Sequence, residues 1–221
     1  MSSYSSGSKS GNNYSVENKQ ERVITEFLSK YMYGKIYPEH EVVTDKQLQA
    51  QGVDVILPSV NGPEYHDIKA QASKLYINKP QAMFAMELLC DKHENEVVGE
   101  FLRNDMLTHV YVLVWVPRAK VNSYGYLAEA EDIEELEVMF IDKQELKNFI
   151  NTYFYDEALY QQARKMRAKG DTRVFPNDAM YFVYSPALNT KPVQLAIKRW
   201  ALERCAYQHF KVTKDGVQSL M

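Results

Sequence analysis

The sequence predicts a mixed α/β protein in which a mixed central sheet is flanked by helices, with additional helices toward the C terminus. Three observations predict it. Val23, Ile24, Phe27, Leu28 and Tyr31 recur at the spacing of one helix face. The run "THVYVLVWVP" at 108 to 117 is β-branched and aromatic, the composition of a central strand. Between them, residues 52 to 72 read "GVDVILPSVNGPEYHDIKAQA", two strand-like runs around an Asn-Gly turn.

The elements follow in order. The first helix runs from about Val16 to Tyr33, with Gly34 placed to stop it. "HEVVT" at 40 to 44 is a short strand, and the two runs of the hairpin come next. Pro80 opens an apolar stretch to Cys90 that reads as a helix, because proline is favoured at the first helical position. After the strand at 108 to 117 come a strand at 136 to 141, helices near 143 to 154 and 157 to 169, a strand near 180 to 184 and a helix opening at Pro192. At 221 residues and 45% hydrophobic content, one domain over residues 16 to 221 has enough apolar side chains for a core. Within it, residues 16 to 117 form the central unit and residues 118 to 221 elaborate it. Residues 1 to 15, "MSSYSSGSKSGNNYS", read as a flexible polar tail without the apolar run of an export signal.

Several function classes drop out early. The longest strongly apolar stretch, 110 to 116, is far shorter than the roughly 20 residues that cross a bilayer, so a cytoplasmic protein without membrane contact is expected. Cys90 and Cys205 lie far apart without CxxC spacing, which suits reduced thiols better than a disulfide or zinc frame. No GxxxxGK[ST], HExxH, GxSxG or GxGxxG occurs. Net charge is −3, but residues 121 to 160 hold ten acids against two bases, and residues 160 to 221 hold eleven bases against four acids. Such asymmetry marks a surface for a polyanion, forms a solvated face, or pairs the two parts with each other.

The hairpin places charges where a sheet would ordinarily have none. If Val60 faces Pro63 across the Asn61-Gly62 turn, Asp54 lies opposite Lys69 and Ile56 opposite Asp67. Asp54, Asp67, Lys69 and Gln71 then share one face. Ile56 and Ala72 share that face too, so it is partly covered. Two carboxylates in such a place repel unless a cation joins them, and oxygen-only ligands suit Mg2+ or Mn2+. His66 points to the opposite face and reads as a core or edge histidine.

Asp54, twelve intervening residues, and then Asp67-Ile68-Lys69 on the next strand resemble the PD-(D/E)XK nuclease superfamily, the restriction-endonuclease-like proteins. Gln71, two places beyond Lys69, resembles the K-x-Q variants of that family, whereas Val53 stands where the family name has proline, a variable position. The resemblance covers roughly residues 16 to 117 and implies an αβββαβ core. Many members add an acid from the first helix. With Ile24 at zero and about 100° per residue, Glu17 falls near 20° and Glu21 near 60°, beside the apolar face, while Glu26 falls near 200° and faces water. Glu21 is the expected contributor and Glu17 the reserve.

The resemblance implies a nuclease, with DNA the expected substrate and a Mg2+ or Mn2+ ion held by Asp54, Asp67, the Ile68 carbonyl and Glu21. Lys69 would orient the attacking group or stabilise charge on the phosphate, and Gln71 would steady water or phosphate. The expected product carries a 5′-phosphate. Arg164, Lys165, Arg167 and Lys169 on one helix, with Lys198 and Arg199 on the last, are expected to contact phosphates. Two other classes stay open: a nuclease-fold protein that binds nucleic acid without cutting, and an interaction subunit using the acidic segment 129 to 137. Oligomeric state does not follow, and a homodimer remains open.

Overall fold

In the computed structural model, which describes residues 10–92 and 95–221 with side chains from Lys19 onward, the chain opens with helix α1 (Ser10–Leu28). The helix begins six residues before the expected Val16, so only residues 1–9 of the expected tail lie outside the described residues. A π-helical turn (Ser29–Tyr33) then leads into the short helix α2 (Gly34–Ile36). Gly34 does not end the helical run, because its φ of −60° is that of an ordinary helical residue rather than of a left-handed cap.

The next elements are β1 (Glu41–Val42), α3 (Lys46–Ala50), β2 (Val55–Leu57) and β3 (Glu64–Ala70). Asp45 starts α3 by accepting the N–H groups of Gln47 and Leu48. Then come β4 (Met83–Lys92), β5 (Asn95–Val98), a 3-10 turn (Glu100–Leu102), β6 (Val110–Ala119) and β7 (Ile133–Asp142). The last part holds α4 (Lys143–Asn151), α5 (Asp156–Lys169), β8 (Arg173–Val174), β9 (Met180–Tyr184) and β10 (Val193–Lys198). It ends with α6 (Arg199–Cys205), β11 (Ala206–Val212) and β12 (Val217–Ser219).

Two sheets result where one was expected. The first has the order β1-β2-β3-β6-β7-β11-β12 and the second β5-β4-β10-β9-β8. β3 and β6 run parallel, and their neighbours pair antiparallel. Two expected helices are strands. Residues 80 to 90 contribute to β4, in which Phe84, Met86 and Leu88 enter the core and the intervening Met83, Ala85 and Glu87 are only half-buried. The stretch after Pro192 is β10, which pairs with β4 and β9, and helix α6 starts only at Arg199, so Lys198 closes a strand. Each segment is an apolar run that fits either period, and the two satisfy each other's backbone groups in the second sheet. The crossover from β3 to β6 therefore passes through strands of the second sheet, not through the helix that an αβββαβ core would place there.

The first sheet is apolar on both faces. Val112, Val114, Val138 and Phe140 pack with Ile24, Phe27 and Leu28 of α1. Tyr111, Leu113, Trp115 and Met139 point the other way, into a core shared with β4, β9, β10 and α4 to α6. The layers are α1, the first sheet, and then the second sheet with its helices. No helix among the described residues is long and apolar enough to cross a membrane.

Part of the charge asymmetry is an internal pairing. β11 lies beside β7, so Lys211 meets Glu135 at 2.7 Å, His209 meets Glu137 at 2.6 Å, and Arg199 also reaches Glu137.

Candidate active site

The hairpin holds Val55 opposite His66, Ile56 opposite Tyr65 and Leu57 opposite Glu64. Extending this pairing by one residue sets Asp54 opposite Asp67, two positions from the expected register. Side chains alternate at every residue, so a shift of two leaves Asp54 on the face of Asp67 and Lys69. The connection is the cause. It spans six residues, 58 to 63, with Asn61-Gly62 at its tip and Gly62 at φ +107°. Pro58 and Pro63 at its ends carry no N–H to extend the ladder.

Asp67 is buried, with only 2% of its surface exposed, and its Oδ1 lies 3.1 Å from Lys69 Nζ. The other partner of that ammonium is Glu100 Oε2 at 2.8 Å, brought from the 3-10 turn before β6. Asp54 Oδ2 accepts the Ile68 N–H at 2.8 Å, which fixes the first carboxylate to the second strand. The Gln71 N–H points to β6, where it donates to Val114 O, and the Ile68 N–H points to the β2 side. A strand residue aims its N–H and C=O to the same side, so the Ile68 carbonyl faces the side of Asp54.

The charges set one another. Burial, and then the neighbouring Asp67, push the Asp54 carboxyl up to about 7. Burial also raises Asp67, with Lys69 pulling the other way. Burial alone would lower Lys69, but Asp67 and Glu100 outweigh it and hold the ammonium well above the ordinary lysine value. Lys69 in turn keeps Glu100 below the usual carboxylate range. Lys69 is thus a fixed cation at neutral pH and not a proton acceptor, while the two aspartates resist being charged together.

The remaining expected residues lie as follows. Gln71 is bonded at both ends of its amide: Nε2 donates to Met83 O at 2.6 Å and Oε1 accepts the Gln81 N–H at 2.8 Å. It clamps the start of β4 to the end of β3. Gln71→Ala leaves two backbone groups without partners and should destabilise the fold by about 1–3 kcal/mol in a urea melt. Glu21 is exposed and lines a cleft of about 330 Å3 with Gln71, Tyr76 and Gln194, and its charge contributes to raising Asp54. The side chain of Glu17 lies outside the described residues. Glu26 faces water, and His66 is buried between the Tyr33 hydroxyl at 3.0 Å and Glu64 at 2.6 Å.

The expected phosphate contacts are largely spoken for. Arg164 pairs with Glu96 at 3.0 Å, Arg167 with Asp91 at 2.6 Å, and Arg199 with Glu137 and Glu203. Lys165 and Lys169 are exposed on α5, and Lys198 is half-buried at the end of β10. Among the described residues, no three or more His, Cys, Asp or Glu side chains converge as a ready-made metal cluster. The structure therefore brings together Asp54, Asp67, Ile68 and Lys69, and adds Glu100, which sequence reasoning missed. No local pattern marks Glu100, because it reaches Lys69 from 31 residues away. Compared with protein-family models, curated proteins and solved structures, the chain matches none.

Proposed function

We propose that the chain is a divalent-metal-dependent nuclease of the PD-(D/E)XK kind, acting on DNA. One observation carries the reading: a buried carboxylate, Asp67, and a half-buried one, Asp54, share one face of the hairpin, with the Lys69 ammonium 3.1 Å from Asp67 and Asp54 held by the Ile68 N–H. The order of helix, antiparallel β1-β2-β3, crossover and parallel β6 supports it, although the crossover consists of strands.

The donor set fits the metal. Mg2+ commonly takes one or two carboxylates and completes its shell with water, so a third acid is not required. Two carboxylates that burial and mutual repulsion make costly to ionise are relieved by a divalent cation. Asp54, Asp67 and the Ile68 carbonyl would hold it, with Glu21 at the margin. When bound, such an ion lowers the pKa of water and offsets charge on a phosphate. The chain supplies the rest. Lys69, held by Glu100 and Asp67, presents a permanent positive charge that stabilises a phosphate gaining negative charge without reorganising. Hydrolysis of this type would leave a 5′-phosphate and a 3′-hydroxyl.

The test is cleavage of supercoiled and linear DNA with Mg2+ or Mn2+, comparing the protein with Lys69→Ala and Asp67→Ala. Metal-dependent cutting should fall by about a thousandfold or more in each variant. Absence of cutting by the folded, unaltered protein on duplex, single-stranded and branched DNA would sink the reading.

A further inference from the structure

A second cleft, of about 510 Å3, opens beside the site and is lined by Asn104, Thr108, His109 and Lys143 among others. Its link to Asp67 runs through Gly52. The Thr108 hydroxyl donates to Gly52 O at 2.9 Å, and a Cβ built on Gly52 would lie 3.2 Å from Asp67 Oδ2. Thr108 and Asp67 therefore flank the same glycine, and the Lys143 charge acts on Asp67.

Most charges around this cleft are already matched. Arg103 binds Asp105 through two bonds, at 2.9 and 2.6 Å, and Lys147 binds Asp156 at 2.9 Å. Glu64 is held by His66, and Asp142 caps α4 through the Glu145 N–H. Lys143 is the exception. Its ammonium has a carbonyl, Met106 O, at 3.4 Å, and among the described residues no carboxylate lies within ion-pair distance. Burial, and then the neighbouring Lys147, lower its pKa, the situation of a cation that gains from an incoming anion.

Two further donors accompany it. His109 Nδ1 accepts the Tyr65 N–H at 3.2 Å, so a neutral imidazole must carry its proton on Nε2, which has no protein partner among the described residues. The Lys143 N–H donates to His109 O at 2.8 Å, which ties the two residues together, and the exposed Asn104 amide lines the same cleft. An ammonium, an imidazole N–H and an amide lining one cleft are the donor types that a phosphate group accepts from.

Resting on the nuclease reading of the neighbouring site, we propose that this cleft binds a backbone phosphate of the nucleic acid next to the one cleaved, held by Lys143, His109 and Asn104. The experiment measures binding of a short labelled DNA duplex, with the metal chelated so that it stays intact, across a range of salt concentrations. Lys143→Gln should weaken binding about tenfold and lower the slope of log affinity against log salt by about one. Lys143→Arg should stay within about twofold of the unaltered protein. Unchanged affinity and slope in a folded Lys143→Gln protein that still cleaves would overturn the cleft and leave the nuclease reading intact. No DNA binding and no metal-dependent cleavage by the unaltered protein would overturn both. Inorganic phosphate is the other source of the same chemistry: if it binds the unaltered protein but not Lys143→Gln, and DNA does not bind, the occupant is a free anion and the backbone assignment falls.

Discussion

Asp54→Asn should abolish cleavage and yet make the protein harder to unfold above neutral pH. Asparagine keeps the shape and an oxygen that can accept the Ile68 N–H, but carries no charge beside Asp67. The folded-state pKa of Asp54, about 7, lies above the ordinary 3.8 that the unfolded chain restores, so between these values the native state binds the proton more tightly. By linkage, stability falls as pH rises through that window, and the ionised carboxyl is a full burden above it. The variant should therefore match the unaltered protein near pH 4 and exceed it by about 1–2 kcal/mol near pH 8 in urea unfolding. Saturating Mg2+ should reverse the order, because an ion that binds only the native site stabilises the unaltered protein by about 2.7 kcal/mol at a hundred times its Kd. A gain equal at both pH values would rule out ionisation as its source.

Gly52→Ala should damage both the fold and the site, although it adds a single methyl group. Gly52 has a φ of +75°, and a Cβ there would stand 2.4 Å from Thr108 Oγ1 and 2.8 Å from Met106 Cε. Met106 ends in a flexible methyl and can move, but the Thr108 hydroxyl is fixed by its bond to Gly52 O. The strained backbone costs about 1 kcal/mol, and displacing a buried hydroxyl brings the total to about 2–4 kcal/mol. Asp67 would shift too, so cleavage should fall further than stability alone explains. Gly62→Ala is the control: its φ is +107°, but nothing lies within 4 Å of the new methyl, so only the backbone strain is paid. Equal losses in the two variants, measured by urea unfolding, would show that the contact with Thr108 does not matter.

What could be read from the sequence follows from how local each signal is. β6, with its uninterrupted valines and aromatics, and α4 and α5, with a clear helical period, lie where expected. Asp54, Asp67 and Lys69 share a face because a hairpin is a local object and its side chains alternate strictly. β4 was illegible for a physical reason. Its Met, Ala, Leu and Glu residues are good helix formers, Leu89 and Cys90 are both buried and blur the alternation, and its pairing partner β10 lies about a hundred residues further on. β11 follows α6 without a turn residue to announce it. Glu100, Thr108 and Lys143 reach the site through tertiary packing alone, so no spacing rule could find them.

β6 belongs to both cores at once. Its seven residues from Val110 to Val116 are all buried, with the valines at 110, 112, 114 and 116 turned toward α1 and Tyr111, Leu113 and Trp115 toward the second sheet. Neither half can melt without stripping one face of this strand, so the amides of Val112 to Val114 should exchange with deuterium only when the whole chain opens. β3 is hydrogen-bonded along it. Asp67 and Lys69 are thus carried by the last part of the molecule to let go, while the exposed loop at 58 to 63 lies outside both cores.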